Sequence, residues 1–208
     1  MNRAVVYLHG KGGSPAEAER YRPLFPGADV IGFDYRANTP WEAKEEFPPF
    51  FAALRGRVRP IILIANSIGA YFALSAGVGA FVDRAYLISP VVDMDRLIRD
   101  ALKAVGSTEE ELREKGVIRA PFGENLSWEY LAYARTHPIR WNAPTDILCG
   151  ARDALVPGET VRAFAKTHRA SLTVMEDGEH WFHTKEQLAF LDRWLLSCEE
   201  TPRRRSKR

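Results

Sequence analysis

Residues 61–82 read "IILIANSIGAYFALSAGVGAFV". As one helix, a run this apolar and this long would span a bilayer. The polar pair Asn66-Ser67 divides it, and Ile68-Gly69 follow at once. Ile61–Ala65 is aliphatic and suits a short buried strand. Beyond the pair, Gly69, Ala70, Ala73 and Gly77 keep one helix face thin enough to lie against a sheet. The stretch is therefore read as strand, turn and helix, with a hydroxyl at the turn and no membrane span.

Five more apolar runs fit the same strand type: "AVVYLH" (4–9), "DVIGFD" (29–34), "AYLISP" (85–90), "TDILCG" (145–150) and "SLTVME" (171–176). Most are continuous rather than alternating, as in strands covered on both faces of a parallel sheet. Helical segments lie between them. Ser14, Pro15 and Glu17 form a capping-box start. Residues 41–55 make a second candidate, opposed by Pro48 and Pro49, Ile68–Val82 a third and 157–168 a fourth. Residues 184–200 close the chain with an amphipathic helix. Strand–helix alternation implies an α/β fold with right-handed crossovers.

The alternation breaks between Asp95 and Asn142, where no strand is evident. Helical stretches here, one begun by a Ser107/Glu110 capping box and one by Ser127, predict a helical lid over the sheet's C-terminal edge. Trp128, Tyr130, Tyr133 and Trp141 are candidates either for a substrate pocket or for the lid's own small core. The expected organisation is a core at 1–94 and 143–200, a lid at 95–142 and a basic tail at 201–208.

Composition bounds the function. The 208 residues suffice for one domain, and the net charge is +2. The "TPRRRSKR" ending carries five basic side chains, and the remainder is net acidic at −3. With no aromatic residues among those charges, the tail is read as a solvated end, and no nucleic-acid partner is expected. Cys149 and Cys198 suggest neither a disulfide framework nor a zinc site. "MNRAVVYLHG" enters a strand pattern directly, so a cytoplasmic protein without a signal peptide is expected. Asn125-Leu126-Ser127 matches the glycosylation triplet and is read as chance.

"A-N-S-I-G" (65–69) resembles the G-x-S-x-G nucleophile elbow of the α/β-hydrolase family, with Ala65 replacing the first glycine. Three further motifs support the resemblance. "YLHGKGGS" (7–14) is similar to the family's H-G-x loop, "CGARDALVP" (149–157) places Asp153 where the family keeps its acid, and "EDGEHWFHT" (176–184) places His180 where it keeps its histidine. The order Ser67, Asp153, His180 is that of the fold. Asp93 is the competing acid and His183 the second-choice histidine. A metal-binding H-x-x-H reading of His180 and His183 lacks a third ligand. His9, His137 and His168 are read as structural or exposed.

The resemblance implies a compact α/β-hydrolase fold with six mainly parallel strands in the order 2-1-3-4-5-6. It implies a small serine esterase, with Ser67 as nucleophile, His180 as base and Asp153 as its partner. The backbone N–H groups of Lys11, with Gly12 as an alternative, and of Ile68 would form the oxyanion hole. A small acyl substrate is implied, and no metal or organic cofactor. Ester, thioester, lactone, amide and carbon–carbon bonds stay open, as does a non-catalytic binding protein that has kept the fold.

Overall fold

The computed structural model describes residues 3–120 and 125–200, and the basic 201–208 segment lies outside them. β1 (Arg3–Leu8) is followed by a 3-10 segment at Pro15–Leu24 and by β2 (Ala28–Gly32). Then come α1 (Pro40–Arg55), β3 (Ile61–Asn66), α2 (Ser67–Ser75) and β4 (Arg84–Ile88). α3 (Met94–Ala104), α4 (Glu109–Lys115), β5 (Val117–Arg119), β6 (Asn125–Ser127) and α5 (Trp128–Thr136) form the segment between β4 and the next long strand. β7 (Thr145–Gly150), α6 (Gly158–His168), β8 (Ser171–Met175) and α7 (Lys185–Glu200) complete the chain.

Six strands form one parallel sheet in the order β2-β1-β3-β4-β7-β8. Counted along the sheet's own strands, this is 2-1-3-4-5-6. β5 and β6 were not foreseen. They pair antiparallel with each other, apart from the main sheet, and three-residue strands are too short to show a period in sequence.

The continuous apolar strands have a direct cause. Successive side chains point to opposite faces, and both faces are covered. Val6, Leu8, Leu63, Leu87 and Ile147 enter the core shared with α1 and α2. Their neighbours Val5, Tyr7, Ile64, Tyr86 and Leu148 enter the core shared with the 3-10 segment and α7.

Several local expectations change. α1 runs through Pro48 and Pro49. It is started by Thr39, which accepts the Glu42 N–H, and held by Phe47 and Phe51, both fully buried. Tertiary burial outweighs the local proline penalty there. α2 stops at Ser75 rather than continuing to Val82, because Gly77 turns left-handed at φ +69°. α4 is capped by Thr108, which accepts the Glu111 N–H, while Ser107 Oγ bonds the Glu111 carboxylate. The expected Ser107/Glu110 box is thus displaced by one residue.

Candidate active site

Asn66 ends β3 and Ser67 opens α2 at φ +47°, a left-handed conformation costly for a residue with a Cβ. The neighbouring structure imposes it. A Cβ on Gly69 would lie 2.3 Å from the His9 carbonyl oxygen, so the first turn of α2 approaches the loop after β1 as only glycine allows. The Ser67 carbonyl accepts the Val91 N–H at 3.2 Å, fixing the turn from the β4 side.

The loops after β7 and β8 bring two more groups to this point. Ser67 Oγ lies 2.8 Å from His180 Nε2, and His180 Nδ1 lies 2.8 Å from Asp153 Oδ2. The Asp153 side chain is only 2% exposed. Its other oxygen accepts the Leu155 and Val156 N–H groups, each at 2.8 Å. A carboxylate facing Nδ1 holds the imidazole proton there and leaves the Nε2 lone pair toward the Ser67 hydroxyl.

Beside Ser67, Gly10–Gly13 form a turn closed by the Gly13 N–H on the Gly10 carbonyl, with Gly12 at φ +73°. A second polar chain ties this loop to the elbow. Glu17 accepts the Ser14 N–H at 3.1 Å and the Tyr7 hydroxyl at 2.5 Å. Asn66 Nδ2 donates to the Tyr7 oxygen at 2.9 Å. Burial, then Tyr21 and the Glu17 contact, push the Tyr7 phenol far above its ordinary range, so it stays a neutral donor. Asn66 occupies the N-cap position of α2 but makes no side-chain cap bond. The first-turn N–H groups of α2 are left uncapped by that side chain.

No family model matches the chain, and no curated protein matches it. Solved structures do. Est1E from Butyrivibrio proteoclasticus superposes with a TM-score of 0.75 at 18% identity, over 96% of this chain and 87% of its own. Mouse alpha/beta hydrolase domain-containing protein 10 gives 0.69 at 20% identity, covering 95% and 89%. A Paleococcus ferrophilus monoacylglycerol lipase gives 0.60 at 18% identity, covering 93% and 94%.

The chain has the α/β-hydrolase fold.

In this α/β-hydrolase fold a cavity of about 670 Å³ opens at the C-terminal edge of the sheet, lined by Ser67, His180, Lys11, Tyr7, Tyr21 and Leu191 among others. Trp128, Tyr130, Tyr133 and Trp141, candidates for a substrate pocket or for the lid's own core, do not line this cavity, which corrects the pocket alternative. Trp141 is buried, its Nε1 donates to Thr145 Oγ1, and its ring abuts Gly79 in the turn after α2. Tyr133 stacks on His137 and tilts against Trp41. Trp128 packs on the core beneath the Arg113 guanidinium. Tyr133 and Trp141 thereby tie the 95–142 segment to the rest of the fold.

The competing candidates do other work. Asp93 caps α3 by accepting the Arg96 N–H. His183 Nδ1 donates to the Trp181 carbonyl. His9 stacks on Tyr35, and His168 donates to the Trp141 carbonyl. Burial, then the Asp153 charge, raise the Cys149 thiol above its ordinary range. Among the described residues no group of three His, Cys, Asp or Glu is placed to hold a metal, and no helix is long and apolar enough to cross a membrane. Tyr7, Leu155 and Trp181 carried no functional signal in the sequence, and Asn66 was legible only as part of the turn. Glu17 was legible only as a capping-box partner.

Proposed function

We propose that this protein is a serine hydrolase that cleaves a small carboxylic ester or thioester through an acyl-enzyme. One observation carries the reading: the hydrogen-bonded chain from Ser67 Oγ through His180 to buried Asp153, built on a left-handed serine between strand and helix. Solved structures of similar fold include a monoacylglycerol lipase and Est1E with ferulic acid bound, which supports ester chemistry.

In this mechanism Ser67 Oγ attacks the acyl carbonyl while its proton passes to His180 Nε2. The carbonyl π electrons move to oxygen, and the N–H groups of Lys11 and Ile68 bind that oxyanion. The uncapped N-terminus of α2 supports the Ile68 assignment. The imidazolium then protonates the leaving oxygen as its bond to the acyl carbon breaks. Water repeats the sequence on the acyl-serine and regenerates the hydroxyl. Asp153 holds the imidazole in the productive tautomer and stabilises its charged form. The 95–142 segment acts as a helical cap, and substrate contacts fall to the cavity residues rather than to Trp128, Tyr133 and Trp141.

Treatment with a fluorophosphonate followed by peptide mass mapping tests the reading. The expected result is a single adduct on Ser67, absent in Ser67→Ala and slowed in His180→Ala. No adduct on the wild-type protein would overturn it.

A further inference from the structure

Val117, Leu155, Trp181 and Leu196 are the large apolar side chains left exposed among the described residues, and two of them, Leu155 and Trp181, line the cavity that holds Ser67. Trp181 is 73% exposed and Leu155 47%. Ligand sites are concavities lined largely by apolar and aromatic side chains, and these two exposed residues belong to such a lining. Each residue is also fastened to the triad. Trp181 directly follows His180, and the Leu155 N–H donates to Asp153 Oδ1 at 2.8 Å. The indole is propped by its neighbours. Its ring stacks on His183 at 4.8 Å and 24°, and the His183 N–H is held by Oε1 of buried Gln187 at 3.0 Å.

We propose that Trp181 and Leu155 form a binding rim for the alcohol portion of the substrate and select esters of planar, apolar alcohols. The inference rests on the ester-hydrolase reading and deepens it. The leaving oxygen must come within hydrogen-bond reach of His180 Nε2 to receive its proton. The carbons attached to that oxygen then extend past His180 and meet the next residue, Trp181. A planar apolar group stacks on the indole and touches Leu155. One indole and one leucine offer at most a few hundred Å², far below the ~1,200–2,000 Å² of a stable protein interface. The occupant is therefore a small molecule rather than a second copy of the chain.

Steady-state kinetics with 2-naphthylmethyl acetate and ethyl acetate test this. Trp181→Ala lowers kcat/KM for the naphthyl ester roughly tenfold more than for ethyl acetate, chiefly through KM, and Trp181→Phe recovers much of the difference. Leu196→Ser, altering an exposed leucine that does not line the cavity, serves as the control. Equal losses on both esters, or none on the naphthyl ester, would overturn the proposal. So would sedimentation showing a wild-type dimer that Trp181→Ala dissociates. A binding measurement separates the inference from the reading beneath it. In Ser67→Ala, 2-naphthylmethyl acetate should quench tryptophan fluorescence, and the quench should vanish on adding Trp181→Phe. If the wild type takes no fluorophosphonate on Ser67 and cleaves neither ester while this quench persists, the hydrolase reading fails and Trp181 is left as a binding plate for planar apolar molecules. If the naphthyl ester is cleaved with no dependence on Trp181, the rim fails and the hydrolase reading stands.

Discussion

A Cβ placed on Gly150 would lie 2.1 Å from the carbonyl oxygen of Gly178. The two loops that carry Asp153 and His180 thus meet backbone to backbone. The Arg152 N–H donates to the Gly178 carbonyl at 2.9 Å, and the Ala151 N–H to the Met175 carbonyl at 2.8 Å. Gly150→Ala must push these loops apart. We expect a stability loss of about 2–3 kcal/mol in urea unfolding, together with slower fluorophosphonate labelling of Ser67.

Asp153→Asn tests the tautomer argument. An asparagine Oδ1 still accepts from Leu155 and Val156, so the loop is retained. Its NH₂ then faces His180 Nδ1 and favours the wrong tautomer. The expected outcome is a fall in kcat of about 10³–10⁴-fold on an ester that the wild type cleaves, with the thermal midpoint little changed. A fall of tenfold or less would show that Asp153 does not set the imidazole tautomer.

Hydrogen bonds run from Glu17 through Tyr7 to Asn66, the residue before Ser67, and would position the serine through the backbone. Glu17→Gln keeps an acceptor for the Ser14 N–H but turns a donor toward the Tyr7 hydroxyl. Tyr7→Phe removes the link altogether. Each should cost about 1–2 kcal/mol of stability. Each should also lower kcat about tenfold with KM nearly constant, because in the proposed mechanism a misplaced Ser67 affects the chemical step rather than ground-state binding. A loss confined to stability would assign the chain of bonds to folding alone.

Alkaline pH should unfold this protein. Burial raises the phenols of Tyr7, Tyr21, Tyr35, Tyr86 and Tyr130 above their ordinary range, and it pushes Tyr71 up to about 12. The folded state therefore holds protons that the unfolded chain gives up near pH ~10. This contribution to stability is complete below that pH and declines as pH rises toward the folded-state values. Phenolate absorbance at 295 nm is expected to show a late, cooperative step coincident with loss of circular dichroism. Independent titration of every tyrosine near 10 in a folded protein would contradict it.

Much of the fold was legible because its signals are local. Residues 61–66 are apolar at every position but the last because both faces of the sheet are covered, and Ser14, Pro15 and Glu17 mark a helical start by hydrogen bonds within four residues. Ser67, Asp153 and His180 were legible as candidates through motif order, and the structure brings them within hydrogen-bond reach of one another. Other features depend on contacts distant in sequence. The prolines in α1 argued against a helix that the burial of Phe47 and Phe51 enforces. The aromatics of 128–141 suited a pocket equally well, and the contacts of Tyr133 with Trp41 and of Trp141 with Thr145 tie the segment to the rest of the fold.

By itself the chain's order of residues determined a parallel α/β sheet, the turn at Asn66-Ser67 and which three side chains are candidates for one site, because strand period, turn chemistry and motif spacing act over a few residues. Only the tertiary structure decided that Ser67 meets His180 rather than His183, that Asp153 rather than Asp93 stands behind it, and that Trp181 rather than Trp141 borders the cavity. Those outcomes depend on how loops from separate strands close on one sheet edge, and a hydrogen bond 2.8 Å long between residues 113 apart has no local trace in sequence.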